Sequence, residues 1–419
     1  NSSTGDHNVG IGTYAGLGNR TGGHNTFVGS NAGLSDNVTS HQYNTGVGST
    51  ALKSLTDGGF NVALGSRSGE DLTTGDLNTF VGDYAGHTTT NAQRTVAVGH
   101  SAMATANVTA VAIGTVAVGY EALNSLLSGV GNVAVGYQTL DTLTTGTYNT
   151  AVGHQAMHQV DQTAVDSDHN TAVGYLSMGG AWADAESGYN VAVGNNTLAG
   201  VMNGANFNTA VGYAALSTAT TGDNNTAVGK DALNVVTTGT HNVAVGARCG
   251  QALVDGDYNV FLGEFAGAST TSVNNAIFIG QSAGAGADVS ADGSIGIGLS
   301  ALGVLTSGAR NTAIGFQAAD GMTVGEDNVA FGYSALGGVS TSSENKRNVA
   351  LGAGSMSGTN AGAGQNVAVG YGTLDGNLTS AADDNTGVGY IALSGVTSGA
   401  NNTAIGSGAG QVTTTGGAN

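Results

Sequence analysis

The residues whose types and spacing could support chemistry are concentrated between positions 154 and 190. Asp161, Asp166 and Asp168 fall in one stretch, with Trp182, Asp184 and Glu186 in the next. Carboxylate oxygens are the ligands calcium prefers. Trp182, the sole tryptophan, together with Tyr175 and Tyr189 offers apolar ring surface suited to a sugar. The competing reading is a pair of solvated acidic loops. The spacing matches no EF-hand and no "GGxGxD" calcium repeat, so the loop reading is preferred and no cofactor is expected.

Other candidates are weaker. Asp168-His169 resembles part of a catalytic dyad, yet no serine stands out as its nucleophile. "GIGTYAG" at 10–16 and "GIGLSALG" at 296–303 look like phosphate-binding loops but lack the helix and acidic residue such sites require. Cys249 stands where equivalent positions carry Ala or Ser, which reads as a packed thiol. His7, His24, His169 and His241 share one column with Tyr43, Phe60, Tyr148, Tyr189, Phe207 and Tyr258, which reads as ring packing rather than metal ligation. A tyrosine stripe (Tyr120, Tyr137, Tyr175, Tyr213, Tyr333, Tyr371, Tyr390) is a sugar-stacking candidate, with cover for the coil or a chain seam the preferred reading.

The elements that position these residues are short and repeated. A glycine closing an "NTAVG"-like phrase recurs 23 times, and 13 of the 22 spacings are seventeen residues. No spacing is shorter, and the longest is 21. A fixed minimum with occasional insertions describes one structural turn with a variable corner. The third residue before each glycine is Thr, Val or Ile, the second is usually Ala, and the first is apolar. This period-two pattern predicts a short strand with one branched face and one alanine face.

Asn occupies the fourth position before the glycine in 19 of 23 copies, including Asn149, Asn170, Asn190, Asn208, Asn225, Asn242 and Asn259. Stacked in this way, the asparagines predict a ladder of amide hydrogen bonds. "TTGxxN" suggests that Gly75, Gly146, Gly222 and Gly239 serve turns of positive φ. The small residue and the Leu, Met or Gly that follow the marker by three and four positions suggest a second short strand or bend. Insertions all fall between that element and the next Asn.

Seventeen residues are too few for two helices, and 73 glycines disfavour helix. The expected fold is therefore all-β: a parallel β-solenoid (β-roll) of about 23 coils, one continuous array over 1–419. Stacking at about 4.8 Å per coil gives a rod on the order of 110 Å long. The absence of proline fits, since proline would delete a ladder hydrogen bond. Each coil supplies few inward side chains, so association of identical chains is expected, with the alanine face suited to close approach. The chain stops on the first residue of another coil, which suggests an uncapped segment of a longer fibre.

Composition narrows the partners. Net charge is −19 with nine Lys plus Arg, which argues against nucleic acid and anionic lipid. One cysteine excludes an intrachain disulfide framework, and no apolar run is long enough for a membrane-spanning helix.

"NTAVGYxAL" and "NVAVG" resemble the repeats of bacteriophage and bacterial tail-fibre proteins and the coils of YadA-like trimeric autotransporter adhesin heads. The resemblance covers nearly the whole chain. It implies a homotrimeric extracellular fibre, on a virion or bacterial surface, that presents a tip to a cell-surface glycan or protein receptor. A non-enzymatic fibre shaft is the leading expectation. The alternative is a monomeric ice- or carbohydrate-binding solenoid using its ladder face or loops. The period of 17 or more departs from the shorter adhesin-head period.

Overall fold

The computed structural model describes residues 5–35, 40–105, 113–160, 167–182, 185–286, 292–338, 340–343, 345–412 and 414–418. Among these residues there is no helix, and all regular structure is short parallel strand. The chain groups into two compact units, Asn1–Asn208 and Thr209–Asn419. Each unit is a parallel β-solenoid with a period of about 17 residues, as the repeat predicts.

The first unit contains β1 (Val9–Ile11), β2 (Thr26–Val28), β3 (Thr45–Val47), β4 (Val62–Leu64), β5 (Thr79–Val81) and β6 (Val96–Val98). It continues with β7 (Val116–Val118), β8 (Val133–Val135), β9 (Thr150–Val152), β10 (Thr171–Val173) and β11 (Val191–Val193). The second unit begins with β12 (Thr209–Val211), β13 (Thr226–Val228), β14 (Val243–Val245), β15 (Val260–Leu262), β16 (Ile277–Ile279) and β17 (Ile295–Ile297). Then come β18 (Thr312–Ile314), β19 (Val329–Phe331), β20 (Val349–Leu351), β21 (Asn360–Ala361) and β22 (Val367–Val369). The last three are β23 (Leu378–Thr379), β24 (Thr386–Val388) and β25 (Thr403–Ile405).

Register is the same throughout each stack. Ala227 faces Ala244 on the next strand, and Thr226 faces Val243. The 21-residue spacing between β9 and β10 leaves Thr150 opposite Thr171. The extra residues therefore leave the strand ladder untouched.

The alanine column lies inside. Ala63, Ala97, Ala134, Ala227 and Ala313 are fully buried within their own coil, and the branched residues on either side point outward. The alanine face is thus unavailable for approach by another chain, which corrects the sequence expectation. The coil is too narrow for the larger row: a Cβ on Gly10 would sit 3.0 Å from the Ala15 carbonyl across the interior. Phenylalanine enters this column only where the facing position is glycine. Phe80 packs against Gly69 and Gly86, and Phe278 against Gly284. Opposite the strand, Ala51 and Leu52, or Ala122 and Leu123, complete the core. These residues form turns rather than a second strand.

The asparagine ladder forms as expected. Asn149 Oδ1 accepts the Asn170 backbone N–H at 3.0 Å and its Nδ2 at 3.2 Å, while Asn149 Nδ2 donates to the Ser167 carbonyl at 2.8 Å. Asn170, Asn190 and Asn208 continue the pattern, as do Asn225, Asn242 and Asn259 in the second unit. All are fully buried, so each amide must find partners inside the protein. Where the asparagine is replaced, the amide ladder is interrupted: the backbone N–H of Thr95 and of Ala276 still donates to the preceding Asn, while the Thr95 hydroxyl turns to the Gln93 carbonyl.

Gly75, Gly146, Gly222 and Gly239 do not have positive φ, contrary to the turn reading. They are glycine because a Cβ on Gly222 would strike the Gly239 carbonyl of the next coil and the Asn225 amide. The left-handed position lies two residues later and is filled by side chains such as Tyr148, Asn224 and His241. The marker glycine does require its own conformation, with φ near 138° at Gly229.

Candidate functional site: an exposed strand face bordered by stacked rings

With alanine inside, each three-residue strand presents its first and third side chains outward. Two parallel ladders result, one of Thr, Val and Ile, the other of Val, Ile and Leu with one Phe. Their residues are half-buried or exposed, as at Thr45, Val47, Val191 and Val193. Ring columns border the ladders. On one edge Tyr148, His169, Tyr189 and Phe207 stack in succession, with centroid separations of 5.2, 4.8 and 5.1 Å. On the other, His100, Tyr120, Tyr137, His154 and Tyr175 form a five-ring column. The coil rise imposes this spacing, since equivalent side chains fall about 4.8 Å apart.

Tyr175 is 46% exposed and Tyr189 is 50% exposed. Among the described residues Tyr175 meets only the His154 ring, at a tilt of 42°, whereas both faces of Tyr189 lie against His169 and Phe207, so Tyr189 offers edges rather than a face to solvent. At Tyr189 that geometry favours the packing reading over sugar stacking. Trp182 is only 4% exposed and donates Nε1–H to the Met178 carbonyl at 3.3 Å. It fills the coil interior and offers no ring to a ligand, which corrects its candidacy.

The calcium candidates divide. Asp161, Asp166 and Asp184 lie outside the described residues. Asp168 Oδ1 accepts the Thr147 backbone N–H of the preceding coil, and Glu186 is exposed. Among the described residues no three His, Cys, Asp or Glu converge as a metal site would need. Asp168 belongs to a column that the sequence reading missed. Asp76, Asp257 and Asp383 likewise accept a backbone N–H from the coil before, at Gly59, Thr240 and Gly364. The signal was present as Asp recurring two residues before the ladder Asn.

Cys249 is buried, and its Sγ donates to the Phe261 carbonyl at 3.0 Å. Ser68 makes the same bond to Phe80 in an earlier coil. Burial pushes the thiol up to about 12, so it does not ionise near neutrality. His169, the partner in the suspected dyad, is occupied in the ring stack.

His158 Nδ1 and Asp141 Oδ1 make a half-buried hydrogen-bond contact at 2.6 Å, and loss of solvent pushes the Asp141 carboxyl above its usual range. Among the described residues no helix is long and apolar enough to cross a membrane. No known family model matches the chain, and no curated protein matches it either.

Proposed function

We propose that this chain is a non-catalytic shaft segment of an extracellular attachment fibre, assembled as a homotrimer, on a phage particle or bacterial surface. Its task is to hold a receptor-binding tip at a distance. The observation that carries this reading is the outward strand face. In the second unit, twelve marker strands at about 4.8 Å each, roughly 20 Å across with the bordering rings, present on the order of 1,000 Å². A stable interface needs about 800 Å² per partner, and monomers rarely leave so large an apolar patch bare. Two ladders side by side let one chain meet two neighbours, one with each half of the face; the second unit then gives each neighbour roughly 500 Å², and the eleven strands of the first unit give about as much again, which suits a closed ring. The resemblance of the repeats to tail-fibre and adhesin-head coils supports the same reading.

Light scattering of the soluble protein is the test. A mass near three times 40.7 kDa is expected. A monomer would overturn the fibre reading and leave the face open to water. Ice-recrystallisation and glycan-binding assays would then take precedence.

A further inference from the structure

A ladder that repeats every coil poses a difficulty for assembly: sliding one copy past another by one coil preserves almost every apolar contact. Register is weakly specified wherever a face is uniform. Within the two central ladders of the second unit, which otherwise carry Thr, Val, Ile and Leu, one residue is aromatic. Phe331 takes a position held by Ile314 before it and Leu351 after it, with which it is in register. It is 56% exposed, and Tyr333 beside it is 59% exposed. Tyr333 in turn stacks on Phe316 at 5.6 Å. From β12 to β24, β19 is the only marker strand with both outward residues exposed.

We propose that Phe331 is the register key by which copies of this chain align along their strand faces, the partner being a second copy of the same chain. The inference rests on the assembly proposed above. In register, the Phe331 rings of neighbouring copies meet in one layer, where aromatic pairing is favourable. A one-coil slip puts the rings in separate layers, and each then props the flat ladders apart. Charged residues on the border are the competing way to set register. Arg310 is already held by Asp327 of its own chain at 2.7 and 3.3 Å, and exposed pairs of this kind contribute little.

The test uses the full chain with Cys249→Ser, since serine already occupies the equivalent position at Ser68. A spin label at exposed Thr238→Cys reports distances between copies. The parent should give one narrow distance. Phe331→Val should keep the parent's mass yet spread the label over several distances, because coil-by-coil slips become nearly equivalent. Phe331→Tyr should restore the single distance. One narrow distance in the assembled Phe331→Val protein overturns the key and assigns register to the border charges. A monomeric parent, seen by light scattering before any labelling, overturns the assembly reading and the key with it.

Discussion

Phe80 and its glycines show how one residue choice constrains others a coil away. A Cβ on Gly69 or Gly86 would lie 2.9 or 2.8 Å from the Phe80 ring, so ring and glycine must change together. Gly86→Leu alone should destabilise by about 1–3 kcal/mol through overpacking. Phe80→Ala alone should cost about 3–5 kcal/mol through the cavity it leaves. Combining Phe80→Ala with Gly69→Leu and Gly86→Leu recreates the alanine–leucine pairing of other coils and should recover most of that loss. Denaturant midpoints of the variants decide it; a triple variant no more stable than Phe80→Ala refutes the pairing.

His41 makes a separate prediction at the same scale. It stands where neighbouring coils have Gly22 and Gly58, is 1% exposed, and has no hydrogen-bond partner at either ring nitrogen. Its ring meets Phe27 edge-on at 5.6 Å. Burial lowers its pKa from 6.5 to about 4, opposed less strongly by its own backbone and then by the carboxylate of Asp57. Between those values the unfolded chain binds a proton that the folded chain refuses. Stability is therefore full above pH 6.5 and falls as pH drops toward 4, by up to about 1.4 kcal/mol per unit. Below pH 4 both states carry the proton and the loss stops growing. His41→Ala should flatten that stretch of a stability–pH profile.

For the elements, the separation of inward and outward side chains makes folding and association independently testable. Val228 points outward between inward Ala227 and marker Gly229, so Val228→Asp leaves the coil interior intact. The expected result is unchanged circular dichroism with loss of assembled mass. Concurrent loss of both would show that the face supports the coil itself. The strands and their register were legible in the sequence, because each "NTAVG" phrase carries the period-two pattern and the turn residue together. The inside face was not, because alternation reveals two faces without saying which is enclosed.

Across the whole molecule, a net charge of −19 accompanies the apolar face. Copies lying side by side in parallel bring like charges level with one another, which opposes association. Salt screens this repulsion, with a Debye length falling from about 10 Å at 0.1 M to about 3 Å at 1 M. Association measured by sedimentation should tighten over that range. Weakening would mean that opposite charges, rather than the apolar face, hold the copies together.

The sequence by itself determined the period, the positions of the strands and the asparagine ladder. Those features depend on residues a few positions apart or one coil apart, where most copies meet the same hydrogen-bonding geometry. The tertiary structure alone decided that alanine faces inward, that Trp182 is enclosed, that Gly222 yields to a neighbouring carbonyl, and that Asp168 caps the backbone of Thr147. Each of these turns on distances across the coil's narrow section or between successive coils. A linear pattern does not encode those distances until the turns bring the chain back upon itself.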